Sequence, residues 1–590
     1  MLSGLFFCAF EVALSNSVIV AAKGEEAAAR ELQRHLELMS GAAVPCVKAS
    51  AVPDGAYAWR VGFMPEDASA PAADSEESTW RTDEASAWFY GDGGHGAGNA
   101  VFAFLEDGLG VRWPFGTNVF CKARTVLHLK PLARTWKPEL KIREIRHPDR
   151  YPDQGVWAGR MRFGKHDATP GYGHHYTRYW DRFHETHPEF FAMRKDGKRL
   201  PYGVEDNPDD IAAAAGSKWT KRIAMCVSCE GLVRQAVADW IAEGKPPYIN
   251  VCENDAGAMH VCWCPNCQAL DAVSAVKMKP PIKCLADRYV HYTNRVLEEA
   301  KKHRPDVRAW FYAYNAAEDP PRRERPADDA IAGFVPTTFL FPAIEDYFRG
   351  WQRAGLKHFF YRPNRHWYYR LRYLPLGCEK YFFRIWRTAY DCGAIGFDYD
   401  SPGKYGDLEW FRDYVIAKAM QDPSKDFEHW ERHYMQAFGA AADDVRAYFR
   451  HWREEVWEKR IEPKMADVCA KARNGSFDRG LMADLVRYYR EEDFAASGAC
   501  LGAGLRRADL SDFARPLVER LVLAHEHATL VFRAVRDKGR NAKSAQALFE
   551  FRRAHGFRML PWEENGFDDA CGLRALATAA GYKEEPQWIP

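Results

Sequence analysis

Nowhere does the chain of 590 residues run through the ~18 consecutive apolar residues that a membrane-spanning helix needs. No span is therefore expected. An excess of charge of one sign is also missing: 82 Lys and Arg face 81 Asp and Glu, a net of +1. That balance argues against a nucleic-acid binder driven by bulk charge. There is no internal repeat and no low-complexity tract. A basic leader is lacking too. Leu5 to Phe10 is apolar, but Glu11 breaks the run and no Lys or Arg precedes it. A first strand, or the remnant of a signal peptide, is expected there rather than an intact signal. What the chain has in abundance is aromatic residues, 35 Phe, 27 Tyr and 20 Trp, or 14 %. With 47 % hydrophobic residues it can fill large cores without disulfides.

The first segment reads as a small α/β unit. Ser17 to Val20 is a β-run, and Leu32, Leu36 and Met39 share a helix face that Gly41 would cap. Residues 57–63 and 86–90 alternate like strands, and residues 99–109 suit a second helix. Gly91-Asp92-Gly93-Gly94-His95-Gly96 matches the dinucleotide-binding glycine pattern. No acidic residue follows about 20 positions on at a strand end, so a turn with a structural role is expected.

Beyond residue 139 short apolar runs alternate with helical stretches. Strands are expected at 141–146, 223–227, 248–252, 307–312, 334–339, 358–361 and 394–397, with helices at 230–243 and 286–303. This suits an α/β fold, a (β/α)8 TIM-type barrel whose eighth strand is inferred. After Asp422-Pro423, the helical spacing of Phe427, Trp430, Tyr434 and Phe438 opens an all-helical region with an irregular tail. The expected division is 1–138 for the N-terminal α/β domain, 139–423 for the barrel, and 424–590 for the C-terminal helical domain.

Barrel enzymes carry their chemistry just past the C-terminal ends of strands. Residues 248–252 lead into Glu253, Asn254 and Asp255, and residues 394–397 into Asp398, Tyr399 and Asp400. Two strand ends thus bring carboxylates to one face. Glycoside hydrolysis needs such a set, one acid for the leaving oxygen and a second group at the anomeric carbon. Asp255, Glu253, Asp398 and Asp400 are the catalytic candidates; salt bridges and caps are the competing explanation. Trp310, Tyr312, Tyr314, Arg362, Asn364, His366, Trp367 and Tyr399 stand near strand ends as sugar-binding candidates. Rings cover the apolar faces of sugars while polar groups meet the hydroxyls. Asn254 and the pair His174-His175, in a Gly-rich loop, join them as substrate-binding candidates.

Fifteen cysteines include seven within residues 226–284. Cys262-Trp263-Cys264-Pro265-Asn266-Cys267 brings three sulfurs close together, and Cys252, or Cys226 with Cys229, would supply a fourth. A structural zinc, disulfides and packed thiols all remain open. No cofactor is required by this reading, and no His cluster points to catalytic zinc.

These motifs together resemble a known family. Val18 to Val20 with the helix Glu25 to Gln33, and the run Gly98 to Trp113, resemble the N-terminal domain shared by α-glucuronidases and hexosaminidases. His187 to Ala192, Asn254-Asp255, the C-x-C-P-x-C run, Asp287-Arg288-Tyr289 with Asn294, 408–423, His433-Tyr434 and Phe438-Gly439 resemble domain-of-unknown-function family 4838, related to glycoside hydrolase family 163. The resemblance implies a carbohydrate-active barrel cleaving β-linked N-acetylglucosamine in complex glycans, retaining and assisted by the substrate's acetamide. It makes Asp255 the first catalytic residue, as acid or as the group that orients the acetamide. Asp398-Tyr399-Asp400 is a departure, one methylene shorter than Glu at that position. An α-glucuronidase-like exo-hydrolase and an inactive glycan-binding protein are the rival readings. The expected partner is an oligosaccharide, with no nucleic acid. The family implies a secreted or periplasmic protein, with the cytoplasm left open; oligomeric state is not read.

Overall fold

The computed structural model describes residues 9–146, 152–165, 173–214, 217, 220–256, 260–274, 282–364, 373–400, 407–471, 477–537 and 542–555. Strands β1 (Phe10–Ala13), β2 (Ser17–Ala21), β3 (Tyr57–Val61), β4 (Ser78–Thr82), β5 (Ser86–Gly91), β6 (Val126–Leu129) and β7 (Leu132–Trp136) come first. β1 and β6 pair antiparallel; the others form one sheet in the order β2-β3-β5-β4-β7. Its β2, β3 and β5 run parallel, as helix crossovers allow. Helix Glu26–Ser40 buries Leu32, Leu36 and Met39 against it. The helix ends at Gly41, whose φ of 68° lets its N–H reach Glu37 O at 2.8 Å.

The glycine motif proves to be a packing device. A Cβ on Gly96 would lie 2.3 Å from the carbonyl carbon of Gly91, so the end of β5 touches the start of helix Gly96–Ala103 backbone to backbone.

The second large sheet contains β8 (Ile142–Ile145), β9 (Gly164–Lys165), β10 (Tyr248–Asn250), β11 (Arg308–Ala313), β12 (Ala330–Phe334), β13 (His358–Tyr361) and β14 (Ala394–Tyr399). The order is β10-β11-β12-β13-β14-β8-β9, parallel from β10 through β8, with β9 antiparallel at the β8 edge. Among the described residues the sheet is a parallel half-barrel, open between β9 and β10. Its concave side buries Ile142, Tyr248, Trp310, Tyr312, Ile331 and Phe360. Its convex side carries Phe334, Phe359 and Phe397 onto helices Ala343–Arg353 and Glu379–Asp391.

Two strand positions differ from expectation. β12 lies at Ala330–Phe334, not 334–339. Its Ala and Gly residues carry a weak strand signal, but a larger side chain has no room: a Cβ on Gly333 would lie 2.6 Å from Phe360 and 2.7 Å from Tyr312. Residues 223–227 form only a bridge, Met225 to Phe191, and then turn, which brings Cys226 toward the second cysteine run.

Beyond β14, helix Trp410–Gln421 is buried on every side and leads into a helical region that includes Phe427–Met435, Ala442–His451, Glu491–Leu505 and Arg515–Arg536. Glu106 ties this region to the first sheet. It pairs with Lys418 and, at 3.1 Å, with Arg162. Burial alone would raise its pKa; Lys418, His433, Arg162 and Arg112 instead hold it down at about 2. No described helix is long and apolar enough to cross a membrane.

Candidate active site

β10 ends at Asn250, and the chain continues beside β11, with Val251 N–H on Trp310 O at 2.9 Å. This places Glu253, Asn254 and Asp255 at the C-terminal rim of the half-barrel. The Glu253 carboxylate accepts the N–H groups of Asn254 at 2.8 Å and Met225 at 3.2 Å. Burial nevertheless pushes its pKa up from 4.5 to about 8. It borders a cavity of about 20 Å³ shared with Tyr289, Tyr312 and Tyr314. His174 Nδ1 lies 2.6 Å from the Glu253 carbonyl oxygen, and its ring meets Tyr312 edge-on at 5.6 Å.

Asp255 is placed differently. Its half-buried carboxylate lies 3.4 Å from Arg222 Nη2 and faces an open cleft of about 980 Å³. Tyr202, His260, Trp263 and Tyr314 line that cleft. Tyr202 packs on the His260 ring at 4.3 Å, and the Lys195 ammonium lies 4.3 Å from the Trp263 ring centroid. Tyr202 is 62 % exposed.

The ends of β8, β13 and β14 form the opposite rim. Asp398, fully buried, takes Arg146 in a two-pronged pair at 2.7 and 2.6 Å, and Arg362 Nε lies 3.6 Å away. Asp400 accepts from Arg362 Nη2 at 2.7 Å and lies 3.6 Å from Arg146 Nη1. Arg362 also sits over the Tyr312 ring at 5.3 Å, and Asn364 Nδ2 reaches the Tyr314 hydroxyl at 3.4 Å. One chain of contacts therefore joins Glu253 and His174, through Tyr312, Arg362 and Arg146, to Asp398 and Asp400.

Not every sequence candidate reaches this cleft. Trp310 is wholly buried between Tyr248 and Phe360 and belongs to the half-barrel core. Tyr399 packs against Tyr361 on the convex side, because alternate residues of β14 face opposite ways. The His175 ring sits among Tyr176 and Tyr179, where burial drives its pKa to about 4. Buried Asn254 spends its amide on Ile223 O at 2.9 Å and is a strut. Both Asp398 oxygens are held by guanidinium groups, which suits it to positioning Arg146 and Arg362 rather than to proton transfer. His366 and Trp367 lie outside the described residues. Cys252 is no ligand partner of Cys262, Cys264 and Cys267: it faces the half-barrel core, with Sγ 3.7 Å from Trp310 O. The fourth sulfur beside them is Cys226.

Sequence reasoning passed over Tyr202, His260, Arg222 and Arg146. They come from loops or from the far end of β8 and carry no spacing signal. Trp263 is contiguous with the cysteine motif, and only the fold turns its ring to the cleft.

Carboxylates at the C-terminal rim of a parallel α/β sheet, opening on an aromatic-lined cleft, make up the kind of ligand site that barrel folds carry. The chain belongs to the family defined by the domain of unknown function DUF4838, whose model matches residues 130–450. No curated protein matches it. Among solved structures, the chain is similar to a chitobiase from Flavobacterium johnsoniae (9 % identity over 92 % of this chain and 93 % of that one, TM-score 0.39). A family 89 glycoside hydrolase from Clostridium perfringens gives 10 % identity over 90 % and 65 %, with a TM-score of 0.44. A Streptomyces plicatus β-hexosaminidase gives 10 % over 73 % and 91 %, with a TM-score of 0.36.

Proposed function

We propose that the protein is a retaining glycoside hydrolase that cleaves β-linked N-acetylglucosamine in complex glycans with the help of the substrate's acetamide. One observation carries this reading. Two carboxyl groups, two residues apart at one strand end, occupy different environments: Glu253 borders a small cavity with Tyr289, Tyr312 and Tyr314 and has its pKa pushed to about 8, and Asp255 stands in the open cleft beside Arg222. Environments that split a carboxyl pair assign the acid and its partner. Glu253 carries a proton at neutral pH and serves as the acid for the leaving oxygen. Asp255 accepts the acetamide N–H and aligns its oxygen with the anomeric carbon. Tyr202, Trp263 and Tyr314 offer faces for sugar rings.

The wider reading goes with it: a barrel that closes, domains dividing near 138 and 423, an endo mode of cleavage and a secreted or periplasmic place of action. The α-glucuronidase rival would seat a uronate carboxylate on Arg362 and the His174-His175 pair. Arg362 is instead engaged by Asp398 and Asp400, and Arg146 by Asp398. A panel of N-acetylglucosaminides, glucuronides and N-glycans, read by product mass spectrometry, tests the proposal. Release of N-acetylglucosamine-terminated products supports it. Uronic acid release replaces it with the rival. Measurable glycan binding with no product leaves a binding protein.

A further inference from the structure

The cysteines near the cleft are not used by that chemistry, and their arrangement is specific. Cys226, Cys262, Cys264 and Cys267 are all buried, and their four sulfurs lie within 4.8 Å of one another. Cys226 Sγ is 3.7 Å from Cys264 Sγ and 3.9 Å from Cys267 Sγ. Four sulfurs on a tetrahedron around zinc, with Zn–S bonds of about 2.3 Å, stand about 3.8 Å apart. The spacing is that of four ligands sharing one ion.

The surroundings match as well. Met193 N–H points at Cys262 Sγ at 3.3 Å, and Cys267 N–H at Cys264 Sγ at 3.4 Å. Such donors stabilise thiolates, which are the metal-binding form. Four thiolates on a divalent ion leave two negative charges, which cations must offset. Arg199, whose guanidinium donates to Phe191 O, is a cation close to Cys226, Cys262 and Cys264. Arg288 is buried with its charge met by Asp271 at 2.5 and 2.7 Å, and its remaining nitrogen donates to Cys262 O at 2.8 Å, which fixes the backbone of that ligand.

We propose that Cys226, Cys262, Cys264 and Cys267 form a structural zinc site with four thiolate ligands, built into the wall of the cleft. Binding deprotonates the four thiols and closes the coordination sphere, so the ion takes no substrate. It joins two segments that are 36 residues apart from Cys226 to Cys262. It also fixes two pieces of the cleft. Met225, next to Cys226, donates to Glu253, and Trp263, between two ligands, lines the cleft. The site stands on the sulfur geometry alone and does not depend on the glycosidase reading.

The test is metal analysis of the full-length protein purified without chelator. One zinc per chain is expected, released when the protein is unfolded in a chromogenic chelator. Cobalt substitution should give a thiolate charge-transfer band and intense tetrahedral bands in the visible. Cys264→Ser should lose the zinc and lower the melting temperature, whereas Cys252→Ser should keep the full equivalent. Should Cys264→Ser fail to fold, release from the unmodified protein still decides. No released zinc, with the four cysteines recovered as free thiols or disulfides, overturns the site, as does zinc that stays at one equivalent in Cys264→Ser.

Discussion

At the scale of single residues, the proposal separates Glu253 from Asp255 by environment. Asp255→Asn should lower turnover on the order of 10²- to 10⁴-fold, the usual worth of one acid–base group, with glycan affinity retained in titration calorimetry. Unchanged turnover would remove Asp255 from the mechanism. Glu253 predicts a pH signature. Its folded pKa of about 8 exceeds the ordinary 4.5, so the folded chain keeps a proton that the unfolded chain gives up in between. Stability should therefore fall as pH rises from about 4.5 to about 8. Activity, which needs the protonated acid, should fall above about 8. Glu253→Gln should reduce the slope of that part of the stability curve, to which Glu379, raised by burial to about 7, also contributes, and should abolish turnover; urea unfolding across pH measures the first. The carboxylates themselves were legible in the sequence, because a strand ending in Glu-Asn-Asp is visible without a fold. Which of them is shut away from the cleft was not, because Tyr289, Tyr312 and Met225 come to Glu253 from elsewhere in the chain.

At the scale of elements, periodicity located helices Glu26–Ser40, Glu230–Ala242 and Ala286–Lys301 to within a few residues. Their stripes of apolar residues are a local signal. β12 escaped because its small residues exist to admit Phe360 and Tyr312, a requirement set by neighbouring strands. The Gly91–Gly96 contact yields a sharp comparison. Gly96→Ala forces a Cβ into the backbone of Gly91 and should cost about 1–3 kcal/mol in denaturant unfolding. Gly94→Ala, with nothing within 4 Å of its new Cβ, should change stability by less than about 0.5 kcal/mol. Equal effects would show that the motif is not a packing contact.

At the scale of the whole molecule, the buried Glu106 cluster joins the first sheet, the half-barrel and the helices. Glu106→Ala leaves Lys418 and Arg162 buried without their anion and should destabilise the chain by about 3–5 kcal/mol. A melting curve that hardly moves would mean the regions are held together mainly by apolar packing. The proposed zinc adds a second long-range tie, at the cleft wall. By itself the sequence determined the class of the fold, the order of its regions, the family, and the strand end that bears the carboxylates. These follow from periodicity and from motifs contiguous in the chain. Only the tertiary structure decided that Cys226 and not Cys252 completes the sulfur cluster, that Asp398 is spent on Arg146, that Trp310 is buried in the half-barrel core, and that Tyr399 and His175 pack away from the cleft. Each of those depends on which distant segment packs against the residue. Spacing along one chain does not encode that distance in space.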